Sequence, residues 1–517
     1  MCPGGALVRG EEARVADAAI PVDVQIEDRE IHKVPDPFPL SWAGMIAMLG
    51  PQAINFGISV GGGEAYLLPN IGARGAFHMH WLMLISVVLE AALVYECIKY
   101  SMCTGRSFFA ATNVLRPYGF WPWFWAVATI ITYAWPSWMG GAVVAAQRFT
   151  GISTQSVFPG LNPAVVPPQY IWAVVALVLV LVVFYFSDRT YAFLEKFFLV
   201  IMFGNIILVL LITAISAKPQ HYVDVFLGYI GLTFLMQGYP QGLPPTDTLA
   251  LYGQPGGSTM FVSFWIVAAG FAMGKYAGQV TGPLRPPEKI TAEEINWDTD
   301  DPEERRKMHQ WVKLGGYSLF LWWGLIGGTL MTYLYSVAGY AYLNADYLTT
   351  GKVPEGVEVP IQMATVAAGV LGPAAGWAML VFIMVTLYDA QFPIYDTYIG
   401  RTTTDAIAVT TNWEEKKPYR FYYFIVVTAA VAAGFWLIMQ ATPFIIWLAA
   451  SVLGLMLRSI GSLQIMMINN KQLHPEFHIG PINRVILWFT FVTGFAAVGI
   501  WLYVGGLAEI IRRWTAG

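Results

Sequence analysis

The sequence predicts an all-α polytopic membrane protein, in which about eleven transmembrane helices form two inverted repeats of five helices plus one further helix. Three observations lead to this fold class. Hydrophobic residues make up 56% of the 517 residues and charged residues only 12%, a balance that a water-soluble domain cannot bury. Apolar stretches of membrane-spanning length follow one another along the chain. The first and the sixth of them are interrupted by glycine or proline.

Each predicted span is long enough to cross about 30 Å of hydrocarbon. The spans lie at 42–73, 79–103, 119–147, 170–187, 190–217, 222–252, 317–343, 363–389, 421–440, 443–467 and 485–506. We therefore expect a polar tail at 1–40, a first repeat at 41–217, a second repeat at 222–467 with a charged loop at 282–316, an eleventh helix at 485–506 and a tail at 507–517.

The loops predict the orientation of the chain. Lysine and arginine concentrate in the even-numbered loops, which places those loops and the N-terminus in the cytoplasm and the C-terminus outside. The segment 260–274 is apolar too, but a full crossing there would move the basic loop that follows it to the outside. We interpret it as a half-span, a re-entrant piece or a helix buried against protein, because about fifteen residues are short for a crossing.

The first span contains the stretch GISVGGGEAYLLPN at 57–70. Gly61, Gly62 and Gly63 each cost a helix about 1 kcal/mol relative to alanine, so the span is expected to divide into two half-helices. Freed backbone groups are tolerated in a membrane only where they pack in protein or line a watery cavity. The carbonyl groups of the break and the carboxylate of Glu64 are therefore predicted to bind a cation.

The sixth span is also predicted to be broken, because several glycines and prolines interrupt it in the stretch FLMQGYPQGLPPTDTLALYG at 234–253. The candidate binding residues in it are Gln237, Tyr239, Gln241, Thr246 and Asp247, and Asp247 is the second predicted metal ligand. The alternative is structural, since glycines let membrane helices pack closely and proline kinks are frequent in membrane proteins.

Two carboxylates lie on the second span, where charges are costly and are functional candidates by default. Glu90 has no cationic partner at helical spacing and is a candidate proton carrier, unless a group on another helix satisfies it. Glu96 can pair with Lys99 one turn later, so a purely structural role is an equal alternative.

The eighth span ends in LYDAQFPIYDTYIGRTTTDA. Asp389 and Gln391 are near enough to the membrane to face a transport site. Asp396, Arg401 and Asp405 are predicted to form a cytoplasmic ion-pair cluster that is either a gate lock or a plain interface. Glu90, Glu96, Asp389, Gln391, Asp396 and Arg401 make up the candidate proton pathway or gate.

Several classes of function find no support in the sequence. It contains no phosphate-cradling loop, nucleophile elbow or zinc-binding helix motif, which argues against ATP-driven pumping and hydrolytic enzymes. No basic stripe with interleaved aromatic residues indicates a nucleic-acid partner. The three cysteines have no metal-site spacing, and no cofactor is expected.

Four segments resemble divergent members of the Nramp divalent-metal transporter family. They are GPQAINFGISVGGGEAYLLPNIGARGAF with the following YECIKYSMCTGRSFF, then GYIGLTFLMQGYPQGLPPTDTLALYGQPGG, YDAQFPIYDTYIGRTTTDA and INNKQLHPEF. They occur in matching order over most of residues 40–505, and each alone is moderately specific. The resemblance implies a LeuT-like fold and uptake of a divalent cation such as Mn, Fe or Mg, commonly coupled to protons.

The departures from that family concern the site. Its familiar members carry Asp-Pro-Gly-Asn in the first break, where this sequence has Gly61 to Glu64, so only a carboxylate role carries over, onto Glu64. Their sixth break supplies a methionine beside a Pro-His pair, whereas the nearest sulfur here is Met236. Because thioether ligands favour softer metals, oxygen ligands shift the expected preference toward hard ions or a different substrate.

Three hypotheses follow for an integral protein of a prokaryotic plasma membrane. The first is a secondary-active, proton-coupled transporter of a divalent cation that works by alternating access, with metal ion and proton as its substrates. The second keeps the fold but moves a small organic solute in a pocket shaped by Tyr66, Tyr239 and Trp135. The third is a non-transporting subunit or sensor, and an enzyme is the least expected class. The oligomeric state is open.

Overall fold

The computed structural model describes residues 30–61, 63–135, 139–239, 243–253, 260–286, 288–352, 358–411, 417–437 and 443–516. Twelve helices occupy the first half of the chain, namely α1 (Trp42–Ala47), α2 (Leu49–Gly61), α3 (Gly63–Arg74), α4 (Trp81–Thr104), α5 (Phe108–Ala111), α6 (Phe120–Tyr133), α7 (Gly140–Thr150), α8 (Thr154–Val157), α9 (Tyr170–Phe186), α10 (Thr190–Ser216), α11 (Pro219–Tyr229) and α12 (Leu232–Gln237).

Twelve more follow in the second half, namely α13 (Pro245–Gly253), α14 (Val262–Ala268), α15 (Pro302–Ser318), α16 (Thr332–Thr350), α17 (Glu358–Leu371), α18 (Pro373–Asp389), α19 (Gln391–Pro393), α20 (Thr402–Thr410), α21 (Tyr419–Leu437), α22 (Pro443–Gln472), α23 (Pro481–Tyr503) and α24 (Gly506–Ala516). Two π-helical segments, Leu319–Met331 and Ile394–Arg401, continue α15 into α16 and α19 into α20. Two short parallel strands, β1 (Ile31–His32) and β2 (Asn296–Trp297), form the sheet.

Seven helices of the described chain are long and apolar enough to span a membrane. Four crossings of the predicted eleven are built from shorter pieces: α9 is an apolar helix of 17 residues, and the first, third and sixth crossings each consist of two helices, α2 with α3, α6 with α7, and α13 with α14. The polytopic all-α class is as predicted, whereas the break predicted in the first crossing falls on Gly62, which lies outside the described residues.

The third crossing differs from its prediction as a continuous span at 119–147. Helix α6 ends at Tyr133, and α7 begins only at Gly140. The residue before a proline avoids the helical conformation, and Trp135 precedes Pro136 in the sequence. The end of α6 shortly before Pro136 is consistent with this restriction.

The sixth crossing and its interruption lie later in the chain than predicted, because the span expected at 222–252 begins in the short helices α11 and α12, and α14 lies beyond it. Pro244 and Pro245 do not break a helix but begin one, since the Pro244 carbonyl accepts hydrogen bonds from the amides of Asp247 and Thr248 at the start of α13. The first amides of a helix have no acceptor within it, so proline is well suited to this position. The second half of the crossing is α14, a buried helix of seven residues that packs against α4. The interpretation of 260–274 as a short buried piece is confirmed.

The seventh and eighth crossings run further than their predicted bounds. One continuous helical rod covers Pro302–Thr350, so part of the loop expected at 282–316 is helix. Another rod covers Pro373–Thr410, separated from α17 by Gly372 at φ +92°. Asp389, predicted at the end of a span, is therefore in the interior of a helical rod, followed by a π-helical segment of the kind often found at functional sites.

The segment before the first crossing is packed rather than free. Strand β1 pairs with β2, the Val34 amide donates to the Glu304 carboxylate, and the Trp311 indole donates to the Pro35 carbonyl at 2.8 Å. Val34 is 2% exposed. Residues 31–38 thus form a strap that joins the entry of the first crossing to α15.

Close contact between α3 and α16 depends on glycine. A side chain at Gly339 would overlap the backbone of Pro69, and one at Gly72 would lie 2.8 Å from the Tyr340 amide nitrogen. Small residues let membrane helices approach to backbone contact, which stabilises their association by van der Waals packing.

We expect Gly339→Ala to lower the free energy of unfolding by about 1–3 kcal/mol, because the new methyl group overpacks a backbone contact. Thermal unfolding of the detergent-purified protein measures the change. The control is Gly369→Ala on α17, where nothing lies within 4 Å. An equal or greater stability of Gly339→Ala would contradict the role of this contact.

Candidate functional site

The break of the first crossing is the centre of the candidate site. Helix α2 ends at Gly61, α3 begins at Gly63, and Glu64 lies in the first turn of α3. Gly62, Gln241 and the side chains of Glu64 and Tyr66 lie outside the described residues. The coordination predicted for Glu64 therefore stays a prediction.

The half-helix α2 is held from two sides just before the break. Gly57 lies against the ring of Phe198 on α10. Ser59 is buried and accepts a hydrogen bond of 3.2 Å from the indole of Trp323 in the first π-helical segment. The break therefore follows a helix whose orientation is fixed by the fifth and seventh crossings.

Aromatic rings surround the start of α14 in the sixth crossing. Phe261 stacks on Tyr398 with ring centroids 3.6 Å apart, and Tyr133 meets Phe261 edge to face at 6.1 Å. The indole of Trp265 donates to the Thr397 hydroxyl at 3.1 Å. These contacts attach α14 to the third and eighth crossings.

Asp247 is not brought to the break. Its carboxylate lies 4.0 Å from Arg74, which ends α3. Glu64 and Arg74 are separated by ten residues of one helix, about 15 Å along its axis. The two predicted metal ligands thus lie at opposite ends of α3, because α13 begins beside its far end.

The other candidates of the predicted sixth break also lie around this far end. Thr246 donates to Glu509 of the C-terminal helix α24 at 2.6 Å. Gln237 is exposed and bonds His78 at 2.9 Å, and Tyr239 is half-exposed and bonds Thr248 at 2.8 Å. Gln237 and Tyr239 are thus exposed, whereas Thr246 is buried against α24.

Glu90 has a partner that sequence reasoning missed. The guanidinium of Arg458 on α22 lies 2.7 Å from the Glu90 carboxylate, and both side chains are 2% exposed. Arg458 also donates to the Ser86 hydroxyl at 2.7 Å and to the Tyr252 carbonyl in the last turn of α13 at 3.3 Å. The signal was available, since Arg458 is the one charge within the predicted span 443–467.

Glu96 has a fully satisfied, structural environment. The ammonium of Lys99 lies 2.5 Å from its carboxylate, which confirms the predicted pair. The amides of Asn469 and Asn483 each donate to the carboxylate at 2.9 Å. Glu96 therefore joins α4 to α22 and α23.

The expected cluster at the end of the eighth crossing is present and buried. Arg401 bonds both oxygens of Asp396 at 3.2 Å, and the hydroxyl of Tyr423 on α21 donates to Asp396 at 2.6 Å. Asp405 instead binds the hydroxyls of Ser107 and Tyr419. The predicted ion pair is confirmed, and it joins α21 to the eighth crossing.

Asp389 and Gln391 are both completely buried, and no side chain forms a hydrogen bond with either of them. Their rod packs against α2. Of the candidates on this rod, they alone lack side-chain partners among the described residues, and the Asp389 carboxylate has a backbone hydrogen bond with the adjacent Ala390.

Outside the membrane, neighbouring side chains change the pKa of Glu476, in the loop between α22 and α23. A hydrogen bond from His309 at 3.1 Å, together with Arg305 at 3.3 Å, lowers the pKa of the Glu476 carboxyl. Both partners belong to α15, so these contacts join the seventh crossing to the loop between α22 and α23.

The described residues contain no group of three or more His, Cys, Asp and Glu side chains placed to hold a metal ion. Met236 is 77% exposed, and Met260, in the turn before α14, lies against Gly461 of α22.

The apolar helices of membrane-spanning length and the solved structures that share the fold show an integral all-α membrane protein. It is similar to solved structures of a manganese transporter from Eremococcus coleocola. A mutant form of that protein has a TM-score of 0.60 at 14% identity, covering 91% of this chain and 89% of the other. Its complex with an aromatic bis-isothiourea substituted compound has a TM-score of 0.57 at 15% identity, covering 92% and 90%. No family model and no curated protein matches the sequence.

We expect Glu90→Leu or Arg458→Met alone to lower the free energy of unfolding by about 3–5 kcal/mol, because each leaves an uncompensated buried charge. The double variant should lose much less than either single variant, since no charge remains. Thermal unfolding in detergent measures the cycle. Glu303→Gln, which breaks an exposed pair with Arg306, is the control and should change little. Additive single effects would refute the pairing.

Proposed function

We propose that the protein is a secondary-active transporter of a divalent metal cation that works by alternating access. The observation that carries the proposal is the glycine run of the first crossing, followed directly by Glu64, in a chain that has the fold of a manganese transporter. In inverted-repeat transporters, substrate sites lie where such half-helices meet near the midplane.

The ends of the half-helices support a cationic substrate. The division that the sequence predicts at the glycine run would leave the last carbonyl groups of α2 without partners within the helix. They carry the negative end of the helix dipole, which favours a cation. Glu64, in the first turn of α3, adds the formal negative charge needed to replace part of the hydration shell of the ion.

The available ligand atoms favour a hard cation. Carboxylate, carbonyl and amide oxygens suit Mg, Ca and Mn, whereas thioethers select softer ions. Neither Met236 nor Met260 has a position that supports thioether binding at the first break. We therefore expect Mn or Mg to be moved in preference to copper or nickel.

A small organic solute is the second candidate, and the aromatic cluster at α14 favours it. Phe261, Tyr398 and Tyr133 are rigid apolar surfaces beside the sixth crossing, as a pocket for an organic molecule requires. Of the aromatic residues expected to shape such a pocket, Tyr239 is half-exposed, and the Trp135 indole donates to the Ile131 carbonyl. This leaves the cation as the better supported cargo.

Proteoliposomes that contain the purified protein test the proposal. We expect uptake of Mn or Mg by the wild type and a loss of at least tenfold in Glu64→Gln, because the substitution removes the negative charge at the break. Asp247→Asn is the matched control, which should retain uptake since Asp247 pairs with Arg74 at the far end of α3. If the folded wild type moves no metal, the cation proposal is wrong and organic solutes are the next cargo to screen.

A further inference from the structure

Eight carboxylates are buried in the described part of the chain: Glu90, Glu96, Asp247, Glu304, Asp389, Asp396, Asp405 and Glu509. Seven of them have a hydrogen-bonding or ionic partner: Glu90, Glu96, Asp247, Glu304, Asp396, Asp405 and Glu509. Asp389 differs from them. It is 0% exposed, neither of its carboxylate oxygens has a side-chain partner among the described residues, and the hydrogen bond it has is with the backbone of the adjacent Ala390.

The neighbours of its helix fix the depth of Asp389. Phe382, two turns earlier, lies against Gly204 in the middle of α10. Phe392, three residues later, has its ring centroid 5.3 Å from that of Phe193 in the first turn of α10. Asp389 thus lies between the middle of the membrane and the predicted cytoplasmic end of α10.

The charges that could compensate Asp389 are engaged or distant. The elements packed against α18 are α2, α7, α10, α17 and α19. Helix α2 has no ionisable side chain. The ionisable groups on the other elements and on the rod itself are Arg148, Tyr191, Glu195, Lys196, Glu358, Tyr388, Tyr395, Asp396, Tyr398, Arg401 and Asp405. None of those whose side chains the structure describes forms an ion pair with Asp389, and Asp396 and Arg401 are paired with each other.

A lone ionised carboxylate inside a membrane protein costs several kcal/mol, and the usual outcome is neutralisation by a proton. We propose that Asp389 carries the coupling proton: it is protonated in the conformation described and releases the proton to water when the crossing opens. This inference rests on the proposed transport function and assigns its proton site. No bond other than the O–H bond changes, and one proton taken from water on one side returns to water on the other.

Glu90 is less suited to this task than the sequence predicted. A proton on Glu90 would leave the buried guanidinium of Arg458 without its counter-charge, which is costly. A proton on Asp389 removes a charge that has no partner, so both protonation states are accessible once water reaches the group. An unpaired buried acid is therefore the better carrier.

Polar groups without partners continue along the same rod. Both amide atoms of Gln391 and the hydroxyl of Tyr395 are buried and unbonded among the described residues. The next polar groups toward the predicted cytoplasmic end are Asp396 and Arg401. Water that enters beside the rod would find hydrogen-bonding groups from Asp389 to this cluster.

Infrared difference spectra of the purified wild type and Asp389→Asn, recorded without substrate, test the protonation state. We expect the carbonyl band of a protonated carboxylic acid in the wild type, its loss in Asp389→Asn, and a shift in heavy water as the proton exchanges. Asp396→Asn is the matched control: Asp396 lies on the same rod and is equally buried but ion-paired, so its substitution should leave the band. If that variant does not fold, Glu96→Gln replaces it. A band that survives Asp389→Asn, or that never exchanges, overturns the proposal.

Proton flux in proteoliposomes, followed with a pH-sensitive dye during manganese uptake, tests the coupling. We expect Asp389→Asn to lose at least tenfold in protons moved per metal while metal exchange between the two sides continues, and Asp389→Glu to restore the flux. Wild-type coupling in Asp389→Asn overturns the proposal. If the wild type moves no metal, the cargo assignment fails, and the exchange of the infrared band in the wild type still decides the role of Asp389.

Discussion

In hydrocarbon, a backbone amide or carbonyl group has no water to bind, so a helix can stop inside a membrane only where the surrounding protein takes over its hydrogen bonds. This constraint means that each divided crossing must be packed against other parts of the protein. The third crossing is divided after Tyr133 and the sixth before Val262, and the sequence predicts a division of the first at its glycine run. The fifth, seventh and eighth crossings are continuous rods, and all three pack against α2.

The same constraint governs the side chains. Glu90, Glu96 and Asp396 each have a cationic partner. That of Glu90 lies on another helix, and Glu96 and Asp396 each accept a further hydrogen bond from another helix, so their charges also bind helices together. The pair of Glu90 and Arg458 reaches the end of α13 as well, through the Tyr252 carbonyl. Asp389 differs from these acids, because its buried carboxylate has no side-chain partner among the described residues. The paired acids stabilise the packing of helices, whereas for Asp389 we have proposed a role in carrying a proton.

The sequence predicted the parts of this structure that depend on local chemistry. Composition and span length predicted the all-α membrane class, and the spacing of Glu96 and Lys99 predicted their pair. The sixth division was placed at Pro244 and Pro245, because proline either breaks a helix or begins one, and local sequence does not distinguish these roles. Arg458 was missed as the partner of Glu90 because the two residues are far apart in sequence and meet only through packing.

The strap at residues 31–38 has a mechanical consequence. Its strand β1 is hydrogen-bonded to β2, its Val34 amide is held by Glu304 and its Pro35 carbonyl by Trp311, while its other end leads into α1. The strap thus joins the entry of the first crossing to α15 at the start of the seventh. If α2 changes its tilt, either α15 moves with it or the hydrogen bonds of the strap break, so the motions of these two crossings are coupled on this face.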